Sequence, residues 1–330
     1  MKAITYQKTT DTFILKTLSK PTIENEFDVI VKVFAAGLNP VDGKINNWAS
    51  LVDNMDDNFV GGLDVSGEIV EVGAKVSNWE VGDQVLYHGD MRRHCGGFSE
   101  FSVHDSRTLI RKPNVSHEIA AATPCAAWTA YRALHDKINI IGCESLFIAG
   151  GAGGVGSFAI QLAKIAGVKS IITTSSEAKH SYVKSLGATH VVDYRTQNVI
   201  EEVMKVTSGL GVDFALDCVG GNNAYICSQV LGFEGEMVEL VDVVNPTLYP
   251  GAKMNGLSFH QISLGSSHIN GDKGRKAIVT AGITFSQLLE SKLIVVPELK
   301  VISLEDVPSS LNDIRKKKTL GKIVVQVAEH

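Results

Sequence analysis

Gly151, Gly153 and Gly156 stand at the spacing G-x-G-x-x-G within Gly150-Gly-Ala-Gly-Gly-Val-Gly156. Glycines so spaced can hold a pyrophosphate: one permits a tight turn, one lets the backbone approach the phosphates, and one lets the next helix pack closely on a strand. The first N–H groups of that helix would then face the phosphates. The same spacing arises by chance in a glycine-rich chain, where it means only a tight turn. Context separates the two readings. Residues 144–149 read as a buried strand, 157–166 as a helix and 170–174 as the next strand, the order that the motif requires. Gly151, Ala152, Gly153, Gly154, Val155 and Gly156 are therefore candidate contacts to a dinucleotide.

The residue that reads the ribose should stand about 20 residues past the glycines, at the end of that second strand. Thr174, Ser175 and Ser176 occupy this place, and none is an acid. A carboxylate there would bind the 2′-hydroxyl of NAD and repel the 2′-phosphate of NADP, so small hydroxyl residues favour NADP(H). Lys179, and Tyr194 at the end of the third strand, can converge with Ser175 and Ser176 on that phosphate. Lys179 alone would be an ordinary solvated lysine. Glu177 suits the first turn of the following helix, but a boundary one residue later would restore NAD.

These residues need elements to position them. From residue 1 to about 122 the chain shows short strand patterns with turn punctuation, as at 28–34 and 67–73, which is the pattern of a mostly-β domain. Beyond that point strand and helix alternate: helix 178–186, strand 190–194, helix 198–206, strand 212–217, helix 223–231, strand 235–241 and a completing strand at 259–264. Such alternation means an α/β, doubly wound parallel sheet. Residues 276–292 read as a helix and 321–327 as a strand without a place in that sheet. The tail is therefore expected to return to the β domain, with the active cleft between the two domains. The division is 1–125, 126–268 and 269–330.

A chain of 330 residues is long enough for two domains. Its net charge of -5 offers no basic stripe for nucleic acid, and Arg315-Lys316-Lys317-Lys318 reads as a solvated helix end. No apolar run is long enough to cross a bilayer, and Met1-Lys-Ala-Ile-Thr-Tyr6 lacks the regions of a secretory signal. The five cysteines are scattered and odd in number, as in a reducing compartment. A soluble cytoplasmic protein without nucleic-acid or membrane partners is expected. Cys218 reads as a core residue, with no histidine near it in sequence to activate it.

Several further segments occur in a characteristic order: Gly37-Leu-Asn-Pro-Val-Asp42, Gly62-Leu-Asp-Val-Ser-Gly-Glu-Ile-Val-Glu-Val-Gly73, Val81-Gly-Asp-Gln-Val85, Gly97-Phe-Ser-Glu-Phe101, Ala127-Trp-Thr-Ala-Tyr131, the glycine turn, and Gly321-Lys-Ile-Val-Val325. Together they resemble the medium-chain dehydrogenase/reductase superfamily, and most closely its zinc-independent quinone oxidoreductase and enone reductase branch. The resemblance implies a GroES-like catalytic β domain joined to a Rossmann domain. It also implies NADPH as hydride donor, a quinone or α,β-unsaturated carbonyl as small-molecule substrate, and a homodimer built through the Rossmann sheets.

A catalytic zinc needs three ligands from Cys, His and carboxylate, and a structural zinc clusters four cysteines. Neither pattern is present, and no metal is expected. Asn39 stands where the zinc-dependent branch has a cysteine and Leu63 where it has a histidine, although Asp64 keeps the acidic position. His88-Gly-Asp-Met-Arg-Arg-His-Cys95 carries several ligand types, but at no familiar metal spacing, and reads as a polar loop.

Without zinc, hydrogen-bond donors or a cation must meet the charge that develops on the substrate oxygen. Lys44 is the candidate cation. Asn39 is placed to cap a short helix that starts at Pro40, with its amide N–H₂ free to meet substrate or nicotinamide. The resemblance supports Lys44, since enone-reducing relatives carry a lysine at this point and other quinone reductases a tyrosine. The competing reading is a surface lysine paired with Asp42. The resemblance also implies that Thr129 packs beside the nicotinamide and that the backbone of Val241 and Asp242, at the end of the fifth strand, holds its carboxamide. Reduction of simple ketones or aldehydes, and a nonenzymatic NADPH sensor, are the alternative functions. Residues 46–57 and 87–95 are the stretches expected to set substrate choice.

Overall fold

The computed structural model describes residues 1–47, 50–53, 55–319 and 321–329. The chain forms two compact units, one of Met1–Trp128 with Leu264–His330 and one of Thr129–Ser263. No described helix is long and apolar enough to cross a membrane.

The first unit begins with β1 (Lys2–Gln7) and β2 (Thr12–Thr17), an antiparallel pair. Then follow β3 (Asp28–Leu38), β4 (Asp64–Val72), β5 (Gln84–His88), β6 (Phe101–Asp105) and β7 (Ile110–Arg111). Valine is common here because branched side chains pack well on a pleated surface, and Val29, Val31 and Val33 of β3 are wholly buried. A short helix α1 (His117–Ala121) starts at Ser116, whose hydroxyl accepts the N–H of Ile119.

The second unit opens with the single turn α2 (Thr129–Tyr131) and then alternates: β8 (Ser145–Ala149), α3 (Gly154–Ile165), β9 (Ser170–Ser175), α4 (His180–Leu186), β10 (His190–Asp193), α5 (Val199–Val206), β11 (Val212–Asp217), α6 (Asn222–Val230), β12 (Leu231–Glu239) and β13 (Ser258–Gln261). All its pairings are parallel, in the order β10-β9-β8-β11-β12-β13. Leu146, Phe147, Ile148 and Ala149 of β8 are wholly buried, as a central strand covered by helices on both faces requires.

The chain then returns to the first unit through α7 (Gly271–Glu290), β14 (Leu299–Ile302), α8 (Val307–Arg315) and β15 (Lys322–Gln326). The larger sheet runs β14-β15-β3-β4-β5-β7, with β6 also on β3. β15 lies antiparallel to β3, with Ile323 opposite Leu38. α8 buries Val307, Leu311 and Ile314, one stripe of a helix, on the core of this unit.

Several boundaries differ from the sequence expectation. β12 starts directly where α6 stops, at Leu231, and ends at Glu239, so Val241 and Asp242 lie in an exposed loop beyond the strand. β13 ends at Gln261, and residues 264–268 coil into a 3-10 turn. α7 begins five residues before the expected start at 276. β14 was not foreseen, and of α8 only the end was, at Arg315; the apolar residues of both make sense only against a core that other strands build.

Candidate functional site

In the second unit β8 runs into Gly150, whose φ of +82° is the left-handed conformation that favours glycine. A Cβ on Gly151 would stand 2.1 Å from Thr173 Oγ1, and one on Gly156 2.3 Å from the Gly150 carbonyl oxygen. Neither position admits a side chain. At Gly153 the nearest atom would be 3.4 Å away, so packing alone does not demand glycine there. Gly153 is the N-cap of α3 and offers no side-chain cap. The first-turn amides behind it are orphan donors, suited to an anion. Two threonines of β9 lock the turn: Gly150 N–H donates to Thr174 Oγ1 at 2.9 Å, Gly151 N–H to the Thr174 carbonyl at 3.1 Å, and Thr173 Oγ1 to the Ile148 carbonyl at 2.7 Å. This bracing role was missed in the sequence, where its signal is a pair of hydroxyls inside an apolar strand.

β9 ends at Ser175, and Glu177 lies beyond it in the exposed first position of the 3-10 turn Glu177–Lys179. The strand end therefore carries no acid. Ser175 and Ser176 are 3% and 9% exposed, and Ser175 Oγ donates to the Ser176 carbonyl at 3.3 Å. Lys179 closes the turn and has no ion pair among the described residues. The parallel register sets Ser175 beside Asp193, which brings Tyr194 to the same end of the sheet, one residue past β10 instead of at its last position. The Arg195 guanidinium lies 5.7 Å from the Tyr194 ring centroid. Arg195 is a cation missed in the sequence; its signal is the Tyr-Arg pair that follows a strand. Asp242 Oδ2 accepts the Gly221 N–H at 2.6 Å, and Val241 is 44% exposed. Half-buried Thr129 opens α2, between π-helical turns at Pro124–Trp128 and Arg132–Lys137, a distortion that recurs at functional sites. Burial pushes the Cys218 thiol up, which fits a core residue and not a nucleophile.

In the first unit, polar side chains converge on Asp64, the wholly buried first residue of β4. Its Oδ2 accepts Asn39 Nδ2–H at 2.9 Å; its Oδ1 accepts the Cys125 N–H at 2.9 Å and lies 3.0 Å from His88 Nδ1. Lys322 Nζ stands 4.0 Å from Asp64 Oδ2 and donates to Asn39 Oδ1 at 2.5 Å. Asp42 is also wholly buried and accepts the N–H groups of Asn39 at 2.8 Å and Leu63 at 3.3 Å. Burial, reinforced by the Asp64 charge, pushes the Asp42 carboxyl up to about 7.

Asn39 therefore departs from expectation. Its backbone carbonyl accepts the N–H groups of Asp42 and Gly43, but its side chain neither caps the turn nor faces outward. The amide is buried between Asp64 and Lys322, where one group must both donate to a carboxylate and accept from an ammonium, as an amide can. Lys44 is exposed on the 3-10 helix Asp42–Asn47, at φ −110° and ψ 33°. It does not pair with Asp42, whose oxygens are turned to backbone N–H groups. Lys322, the lysine within an apolar strand, was quoted in the sequence only as part of a motif.

Residues 25–114 match the family model for an alcohol dehydrogenase GroES-like domain, and residues 154–279 that for a zinc-binding dehydrogenase. A 2-methylene-furan-3-one reductase of Solanum lycopersicum is 34% identical over 257 residues, which is 74% of this chain and 63% of the relative. A chloroplastic NADPH-dependent alkenal/one oxidoreductase of Arabidopsis thaliana is 31% identical over 255 residues, 74% of this chain and 64% of the relative. The chain thus spans less than two thirds of the length of these two relatives. The quinone oxidoreductase of Coxiella burnetii has the same fold, with a TM-score of 0.83 at 25% identity over 99% of both chains. The chain belongs to the medium-chain dehydrogenase/reductase superfamily.

Zinc is part of one matched superfamily description, and the donor set decides whether it suits this member. Among the described residues one group offers three ligand atoms within 4.8 Å of one another: Asp64, His88 and Cys125. The group does not fit zinc. Asp64 and His88 are bonded to each other, and the Asp64 oxygens already take the N–H groups of Asn39 and Cys125. The Lys322 ammonium supplies the positive charge that Asp64 needs. The loop 88–95 is partnered piecemeal: Arg92 with Asp90, Arg93 with Asp28, and His94 edge-on to Phe59.

Proposed function

We propose that this chain is a zinc-independent, NADPH-dependent oxidoreductase that reduces quinones or α,β-unsaturated carbonyl compounds by direct hydride transfer. The observation that carries the reading is the uncapped first turn of α3 beside a strand end with Ser175 and Ser176 in place of an acid. Bound NADPH supplies a hydride to an electrophilic carbon of the substrate. Gly151 to Gly156 hold the pyrophosphate, and Ser175, Ser176, Lys179, Tyr194 and Arg195 hold the 2′-phosphate. Thr129, Val241 and Asp242 meet the nicotinamide end. Lys44, exposed and unpaired with Asp42, meets the charge that collects on the enolate oxygen and passes a proton from solvent. Asn39 positions the turn that carries Lys44, because its own amide is committed to Asp64 and Lys322. The name of one matched relative, with its alkenal/one substrate and NADPH, supports both the substrate class and the cofactor.

A cytosolic homodimer belongs to the same reading. All five cysteines are free thiols. β13 forms an edge of the parallel sheet, and the segment before it exposes Val243, Leu248 and Met254, apolar surface that a second copy would cover. Light scattering at twice the chain mass of 35.4 kDa is the expected result.

The test of the activity is the loss of NADPH absorbance, with NADH in parallel, against a quinone, a short enone, an alkenal and a saturated ketone, in chelator-treated protein. Chelator-resistant oxidation of NADPH by the quinone or the conjugated carbonyls is the expected outcome. Turnover confined to the saturated ketone, with an alcohol as product, would overturn the reading.

A further inference from the structure

Three carboxylates gather at the carboxyl ends of β11 and β12. Asp217 ends β11 and is wholly buried; Glu239 ends β12 and is 1% exposed; the two are Cα partners across the parallel pair. Asp242 reaches back to the turn after β11, where its Oδ2 accepts the Gly221 N–H, while Asp217 Oδ1 accepts those of Val219 at 2.8 Å and Gly220 at 3.0 Å. Glu239 Oε2 accepts the Tyr249 hydroxyl at 3.2 Å. Asp217 Oδ2 is buried and has no partner. Among the described residues, no ion pair involves any of the three. Burial, with neighbouring acids adding to it, raises the carboxyl groups of both Asp217 and Glu239, so that a positive charge placed beside them would draw each back toward its ionised form. Crowding the two buried acids Asp217 and Glu239 without a cation opposes folding, and the turn after β11 uses only two of the six oxygens, Asp217 Oδ1 and Asp242 Oδ2.

Their position suggests what the arrangement is for. The sheet order β9-β8-β11-β12 makes the gap between β8 and β11 the crevice where the direction of winding reverses. The turn after β8 receives the pyrophosphate, and the end of β9 the ribose of the adenosine half. The other half of the dinucleotide must run the opposite way, over the ends of β11 and β12. We propose that Asp217, Glu239 and Asp242 form an uncompensated negative field beneath the nicotinamide ring, which favours its positively charged oxidised form over the neutral reduced form. When hydride leaves with its electron pair for the substrate carbon, the ring gains one positive charge and the substrate takes up one proton. The two buried members, Asp217 and Glu239, act through a medium of low dielectric and so lower the energy of that change, which makes the bound cofactor a stronger hydride donor; Asp242 is exposed and adds less. The inference rests on the NADPH reading above and adds how the site biases the redox state.

Dissociation constants of NADPH, NADP⁺ and 2′-phospho-ADP-ribose, measured by calorimetry at pH 8 on the wild type, Asp217→Asn and Glu239→Gln, test it. The expected result is that each variant weakens NADP⁺ by roughly tenfold relative to NADPH. 2′-Phospho-ADP-ribose, which has no nicotinamide, should bind all three proteins alike. An unchanged ratio of NADP⁺ to NADPH affinity would overturn the inference. That includes the case in which Asp217→Asn weakens every ligand equally, since this would report only loss of the turn that Asp217 braces. Should Asp217→Asn fail to fold, Glu239→Gln carries the same comparison, its carboxyl being bonded to Tyr249 alone. A wild type that binds none of the three ligands would instead bring down the NADPH reading itself.

Discussion

Asp42 and Asp64 are both wholly buried, and one ammonium and one amide, those of Lys322 and Asn39, offset the cost. The Asp42 carboxyl, raised from 3.8 to about 7, keeps its proton in the folded chain over a range where the unfolded chain has lost it. Folding is thus favoured at low pH, and this contribution declines as pH rises from about 4 to about 7. Asp42→Asn should flatten that slope. In thermal scans the difference in Tm between the variant and the wild type should shift toward the variant from pH 5 to pH 8; a constant difference would mean that Asp42 titrates as an ordinary carboxyl. Lys44→Ala should lower kcat for an enone by about 10²-fold, the scale of one lost oxyanion donor, while NADPH affinity stays unchanged. Equal kcat in the variant would remove Lys44 from the chemistry. At this scale the sequence was legible where the meaning is local, as in the acid-free end Thr174-Ser175-Ser176. It was not legible at Asn39, whose side-chain partners lie 25 and 283 residues away.

The strand, turn and helix around the glycines were legible because tight turns and close packing depend on neighbours within the motif, although α3 starts at Gly154, three residues before the expected 157. The glycines nevertheless have different duties. Gly153→Ala should fold with the wild-type Tm, since its Cβ meets nothing nearer than 3.4 Å, yet bind NADPH at least roughly tenfold more weakly because the methyl group stands where the pyrophosphate approaches. Gly156→Ala should lose both stability and binding, since its Cβ would lie 2.3 Å from the Gly150 carbonyl. Circular-dichroism melting with fluorescence titration of NADPH separates the two; identical behaviour would mean that packing alone selects both glycines. The alternation of strands and helices was readable from 3.6- and 2-residue periods. β14, the body of α8 and the early start of β12 were not, because they carry too few buried apolar residues to mark a period: β14 buries Ile302, α8 buries Val307, Leu311 and Ile314, and residues 231–234 bury Leu231 alone.

Over the whole chain, Lys322 links the last strand to the first large one, since its ammonium reaches Asn39 and the Leu38 carbonyl at the end of β3. Lys322→Met leaves Asp64 buried without its cation and should cost about 3–5 kcal/mol in urea unfolding, the scale for breaking a buried pair. Removing the exposed pair Lys2–Glu305 should cost under about 1 kcal/mol. Dialysis against a strong chelator should leave Tm and metal content unchanged; a stoichiometric zinc lost with a fall in Tm would reverse the assignment of Lys322 as the cation of this site. The amino-acid sequence by itself determined the class of each unit, the glycine turn and the absence of an acid at the ribose-reading position, because periodicity and turn chemistry act between near neighbours. Only the tertiary structure decided that Asn39 faces inward, that Lys322 stands beside Asp64, and that Asp217 and Glu239 meet at one sheet end. Those placements follow from strand register and burial, which bring together charges that the chain keeps far apart.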